Sequence, residues 1–145
     1  MDSALLLIHS DLEQAGALGN VLTQATPGIA FSVARDTQEV CRYPIPGMIL
    51  LDLDQSAPFA ILRWLKYQER YRRIPVITLA SSPDPAQVNQ AYELGANSCV
   101  LKAEGGIAAE VARGIGTYLK VLNARQDPFS PGGFTNSFAR SRPAN

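Results

Sequence analysis

The sequence predicts an α/β fold: a doubly wound parallel sheet of five strands with helices on both faces. Three observations lead to it. Short apolar runs recur along the chain, separated by segments with helical periodicity. The connections between them are short and carry turn residues such as Pro46-Gly47 and Thr26-Pro27-Gly28. Two of the runs stop abruptly on a charge, Met48 to Leu51 at Asp52 and Cys99-Val100-Leu101 at Lys102. Runs that are apolar throughout, rather than alternating, suit strands buried on both faces. In open α/β sheets chemistry gathers outside the carboxyl ends of such strands. One carboxylate and one ammonium at two strand ends therefore point to a small site that handles a phosphoryl group.

Each element follows in order. Ala4 to Ile8 reads as the first strand. Ser10-Asp11-Leu12-Glu13 fits a capping box, with Ser10 as the cap and Glu13 reaching back, and opens a helix to about Gln24. Ile29 to Val33 is the second strand, and a short helix spans Asp36 to Arg42 before the breakers Pro44, Pro46 and Gly47. Met48 to Leu51 is the third strand. A helix over Pro58 to Tyr71 follows, its apolar residues Ile61, Leu62, Trp64 and Leu65 set among polar ones. Pro75 to Leu79 is the fourth strand. Asp84-Pro85-Ala86-Gln87 starts the next helix with a cap and a proline at the first position, and Gly95 stops it. Ser98 to Leu101 is the fifth strand. The last helix, Ile107 to Asn123, places Ile107, Val111, Ile115, Tyr118 and Leu122 on one face. Strands alternating with helices in this way make right-handed crossovers in one sheet.

Composition narrows the function classes. The chain has 145 residues, is 46% hydrophobic, and carries 13 basic and 13 acidic residues for a formal net charge of zero. That is one domain with ample core, and no global charge that would draw nucleic acid or an anionic membrane. Its apolar stretches fall well short of the roughly eighteen residues that mark a spanning helix. Cys41 and Cys99 form no CxxC pair, and the start Met1-Asp2-Ser3 has no charged leader, so reduced thiols in a cytoplasmic protein are expected. Pro, Gly, Ser and Asn dominate after Arg125. The expected organisation is a folded domain over 1–124 and a flexible tail over 125–145, with Phe129, Phe134 and Phe138 in the tail.

The acidic residue after the third strand and the lysine after the fifth resemble the receiver domain of two-component response regulators, the CheY-like fold. The resemblance covers roughly residues 4 to 123. Arg73-Ile74-Pro75-Val76-Ile77 and Ala91-Tyr92-Glu93-Leu94-Gly95-Ala96-Asn97-Ser98 are typical of it. Gly114-Ile115-Gly116-Thr117-Tyr118, with Leu122-Asn123, is similar to the last helix of the small regulators that accompany phytochrome-type kinases. The resemblance implies a flavodoxin-like sheet of strand order 2-1-3-4-5 and a stand-alone signalling module rather than an enzyme. Its partner would be a sensor histidine kinase or another signalling protein, with homodimers forming through the fourth helix, fifth strand and fifth helix. It also implies that Asp52 is the phosphoacceptor, that Lys102 senses the phosphoryl group, and that Asp54 stands where the family offers a backbone carbonyl to Mg²⁺. Carboxylate attack yields a labile mixed anhydride, and the metal offsets the negative charge that gathers there.

Other positions depart from the family. His9 and Ser10 stand where two adjacent acids belong; Asp11 arrives one residue late, either as an exposed first-turn acid or rotated into the pocket as a substitute ligand. Ala80 replaces the switch hydroxyl; Ser81 beside it should face the other way, and Thr78 lies two positions back. Cys99 replaces the aromatic switch residue and Ala103 the usual proline. With two fewer carboxylates, Mg²⁺ binding should be weak. Without the hydroxyl, a phosphoryl group loses a hydrogen bond worth roughly 1–3 kcal/mol. The expectation is an atypical receiver that acts by protein contacts, weakly or not at all through phosphorylation. Two alternatives stand beside it. Leu50-Leu51-Asp52-Leu53-Asp54-Gln55-Ser56 also resembles the first motif of haloacid dehalogenase-like phosphatases, which need a further downstream acidic pair, and here only Asp84 and Asp127 follow as aspartates. The other is a scaffold or oligomerisation module that keeps only the fold.

Overall fold

The computed structural model describes residues 4–82, 84–103 and 107–125. Ten elements alternate: β1 (Ala4–Ile8), α1 (Leu12–Ala25), β2 (Ala30–Ala34), α2 (Thr37–Val40), β3 (Met48–Asp52), α3 (Pro58–Tyr67), β4 (Val76–Ala80), α4 (Pro85–Glu93), β5 (Ser98–Leu101) and α5 (Ala109–Arg125). All strand pairs are parallel, and the sheet order is β2-β1-β3-β4-β5. The doubly wound sheet read from the sequence is the one observed. The tail expected over 125–145 lies, beyond Arg125, outside the described residues.

Alternating side chains of the central strands feed two apolar layers. Leu5, Leu7, Met48, Leu50, Ile77 and Leu79 pack against Leu18 and Leu22 of α1 and Ile115 and Leu119 of α5. Leu6, Ile8, Ile49, Leu51, Val76 and Ala80 pack on the other side with Val40, Leu62, Leu65, Tyr71 and Ala91. Because β1, β3 and β4 are covered twice, they read as unbroken apolar runs. Where α5 passes the end of α1, a Cβ on Gly116 would fall 1.8 Å from Thr26 Cγ2, so only glycine admits this close approach.

Three sequence readings need correction. The cap of α1 is Asp11, not Ser10: its carboxylate accepts the N–H groups of Glu13 and Gln14. Aspartate and serine both cap well, and the backbone of Asp11 has the extended conformation a cap requires. Helix α3 ends at Tyr67 rather than Tyr71. Residues 68–73 form a turn that swings Tyr71 back into the core, where its ring lies 5.5 Å from that of Trp64. The second helix is a single turn over Thr37–Val40, capped by Asp36. Strand and helix ends elsewhere differ by one or two residues. Gly95, at φ 109°, does end α4, since the turn there needs a left-handed backbone. Among the described residues no helix is long and apolar enough to cross a membrane.

Candidate functional site

The site lies past the carboxyl ends of β1, β3, β4 and β5, and the sheet itself sets the positions. Backbone bonds continue the ladders one residue past the strand ends: His9 N–H donates to Ala34 O at 2.9 Å, Leu53 N–H to Leu79 O at 2.7 Å, and Lys102 N–H to Ala80 O at 2.8 Å. Asp52, the last residue of β3, is held between the other strand ends and is fully buried, at 0% exposure.

A buried carboxylate must be compensated, and Asp52 is. Its Oδ2 lies 2.7 Å from Lys102 Nζ and 3.1 Å from His9 Nε2, and its Oδ1 accepts the Asp54 N–H at 2.7 Å. Burial pushes its pKa up, but His9, Lys102 and the Asp54 amide outweigh burial and hold the carboxyl below its ordinary range. Lys102 is only 11% exposed. Burial pulls its pKa down, while its bonds to Asp52 and Asp54 win and raise it. The lysine bridges two carboxylates, since its Nζ also lies 2.7 Å from Asp54 Oδ2. That same Oδ2 accepts the backbone N–H of Ser81 at 3.0 Å.

His9 is 3% exposed. Its Nδ1 accepts the Asp11 N–H at 3.1 Å, and its Nε2 faces Asp52. The contact is a close approach, and Nε2 has no directed hydrogen-bond partner among the described residues. Gln55 ties the loops together from the far side. Its Nε2 donates to Ile8 O at 2.9 Å and Asp52 O at 2.8 Å, and its Oε1 accepts the Ser10 N–H at 3.0 Å.

The structure therefore brings together Asp52, Lys102, Asp54 and His9. Ala80 is buried at the end of β4 and offers no polar group. Thr78 is fully buried and turned away, its hydroxyl 2.7 Å from Cys99 Sγ. Burial pushes the Cys99 thiol up against the opposing effects of Thr78 and Tyr92, which leaves it a poor thiolate. Ser81 joins the site through its backbone N–H. Two participants are not foreseen from the sequence, Gln55 as a loop tie and the Ser81 amide; His9 is placed at the site by the sequence, but its contact with Asp52 is not. Only His9 had a signal, its place directly after the first strand.

The donor set suits Mg²⁺ poorly. Both oxygens of Asp52, and Oδ2 of Asp54, already face hydrogen-bond donors. Asp11 uses both of its own oxygens, on the Glu13 and Gln14 amides and on Gln14 Nε2. Among the described residues no three His, Cys, Asp or Glu side chains converge on a metal position. A hard dication would have to displace the Lys102 ammonium, which would weaken Mg²⁺ binding. The phosphatase alternative is not favoured: Asp84 caps α4 on the Ala86 amide, and Asp127 lies outside the described residues.

Comparison with solved structures settles the fold. The signal receiver domain of a signal transduction histidine kinase from Syntrophus aciditrophicus matches with a TM-score of 0.66 and 26% identity, over 86% of this chain and 92% of that one. This chain has the receiver fold. The phosphorylated cyanobacterial phytochrome response regulator RcpA matches with a TM-score of 0.68 and 19% identity, over 83% of this chain and 95% of that one. The Mn²⁺-bound form of the response regulator Rcp1 matches at 0.64 and 23%, over 79% and 92%. Likeness to phytochrome-associated regulators was the finer expectation from α5, and such regulators are among the matches. No family model matches the sequence, and no curated protein matches it. Asp52 lies at the end of β3 and Lys102 directly after β5, the strand ends expected for them from the sequence.

Proposed function

We propose that this receiver works in two-component signalling in the cytoplasm through protein contacts, and that its Asp52 position does not depend on phosphorylation. One observation carries the reading: the Asp52 carboxylate is fully buried and both of its oxygens are engaged, one by the Lys102 ammonium and one by the Asp54 amide. A nucleophile must reach its donor, and a carboxylate held below its usual pKa by an ammonium is a weakened one. His9 and Ser10 where acids belong, and Ala80 where a hydroxyl belongs, support the same conclusion. In this reading Asp52 keeps the acceptor position, Lys102 the sensing position, and Ala80 and Cys99 the switch positions. Asp54 and Asp11 would serve a metal only weakly.

The partner is a sensor histidine kinase or another signalling protein. The surface offered is the face of α4, β5 and α5, which also serves for homodimers. Leu101 at the end of β5 is an exposed large apolar side chain on that face. The deciding experiment incubates the protein with Mg²⁺ and acetyl phosphate and reads the intact mass. No stable adduct is expected. A phospho-adduct that disappears in Asp52→Ala overturns the reading, as does partner capture that Asp52→Ala abolishes without unfolding the protein.

A further inference from the structure

Two donors converge on one oxygen of Asp54. Lys102 Nζ lies 2.7 Å from its Oδ2, and the Ser81 N–H donates to the same atom at 3.0 Å. The ammonium comes from the end of β5, the amide from the β4–α4 connection, and the carboxylate from the β3–α3 loop. An ammonium beside a backbone N–H at strand ends is a seat for an oxyanion. In this chain an internal carboxylate fills it.

We propose that Asp54 is an intramolecular ligand of this oxyanion seat, and that it decides whether the seat takes an external tetrahedral oxyanion such as inorganic phosphate. The inference rests on the receiver reading of Asp52 and Lys102 and deepens it by naming what excludes the phosphoryl group. The charge count explains the exclusion. The cluster already sets two carboxylates, Asp52 and Asp54, against the single Lys102 ammonium. Phosphate, with a charge of about −1.5 to −2 at neutral pH, would meet that excess and find both donors taken. Asp54 is the more accessible carboxylate of the two. Its side chain is one-third exposed, whereas that of Asp52 is fully enclosed. The Asp54 carboxylate also links its own loop to the β4–α4 connection at Ser81 and to Lys102 after β5.

The test titrates inorganic phosphate into the full chain, without metal or phosphodonor, and follows the Ser81 backbone amide by NMR. The variants are wild type, Asp54→Ala and Asp54→Asn, each also combined with Asp52→Asn to remove the remaining carboxylate, and Asp54→Ala with Lys102→Met. Folding of each is read from the dispersion of the same spectra. Wild type is expected to show little response at Ser81. Asp54→Ala should show a saturable shift with a Kd about tenfold lower or better, because a like charge and a competing ligand have both gone. Asp54→Asn should fall between them, and Lys102→Met should cancel the gain. The proposal is overturned if folded Asp54→Ala and wild type titrate alike with Asp52→Asn present, or if the gain survives Lys102→Met. Since the readout is reversible binding and not covalent modification, its failure leaves the mass-spectrometric test of Asp52 untouched.

Discussion

Lys102 and Asp52 form one ion pair, yet removing either end has a different consequence. Lys102→Met strands two carboxylates, one of them fully enclosed, and should cost about 3 kcal/mol, as is usual when one partner of a buried pair is lost. Asp52→Asn leaves Lys102 still paired with Asp54 and should cost about 1–2 kcal/mol. Urea unfolding, followed through the single tryptophan, Trp64, checks the order; equal losses would mean that Asp54 does not share the lysine. The same groups set the pH profile. Asp52 is held below the ordinary carboxylate value, so its stabilisation is complete above about 3.9 and is lost as pH falls through the folded value. Glu39, brought to about 2 by its hydrogen bonds from Arg35, adds to the same acid limb. Lys102 is raised, so its stabilisation is complete below about 10.4 and is lost as pH rises through its folded value. Asp52→Asn should flatten the acid limb and Lys102→Met the alkaline one. These two residues were legible in the sequence because each ends an apolar run. The Ser81 amide was not, because a backbone donor leaves no trace in residue identity.

At the scale of the element, the start of α1 is the instructive case. Ser10, Asp11 and Glu13 offer two caps one residue apart, and local sequence rules accept either. The fold chooses Asp11 because His9 is anchored to Ala34 as a continuation of β1, and its Nδ1 takes the Asp11 N–H. Ser10 is then left exposed, its backbone N–H given to Gln55. Asp11→Ala should cost about 1 kcal/mol and Ser10→Ala less than about half of that, measured as shifts in the thermal or urea midpoint. A larger loss at Ser10 would restore the capping box. Helix α3 teaches the same lesson at its other end. Its apolar spacing continues to Tyr71, but that ring is buried against Trp64 only if the helix stops at Tyr67 and the chain turns back. Packing overrode periodicity there.

For the whole molecule, the sheet order brings four strand ends from distant parts of the chain to one edge, and the balance of charge there decides what binds. Metal affinity is the simplest measure of it. A Mg²⁺ site with a Kd of about 0.1 mM would add about 2.7 kcal/mol at roughly 100 times that concentration. For a domain of this size that is a rise in Tm of about 5–10 °C. The engaged carboxylates predict a rise below about 2 °C at about 10 mM Mg²⁺, read by calorimetry. A larger shift would mean that the cation displaces Lys102 readily.

The sequence by itself determined the alternating architecture, the doubly covered strands, and the placement of Asp52 and Lys102 at strand ends. These follow from hydrophobic period and from charges that interrupt it, both of which are local properties. The tertiary structure decided what those charges do. His9, Asp54, Gln55 and Ser81 reach Asp52, Lys102 or their neighbouring loops only because β1, β3, β4 and β5 end side by side. Whether a carboxylate there is a free nucleophile or a saturated ion-pair partner depends on distances between loops that no local pattern encodes.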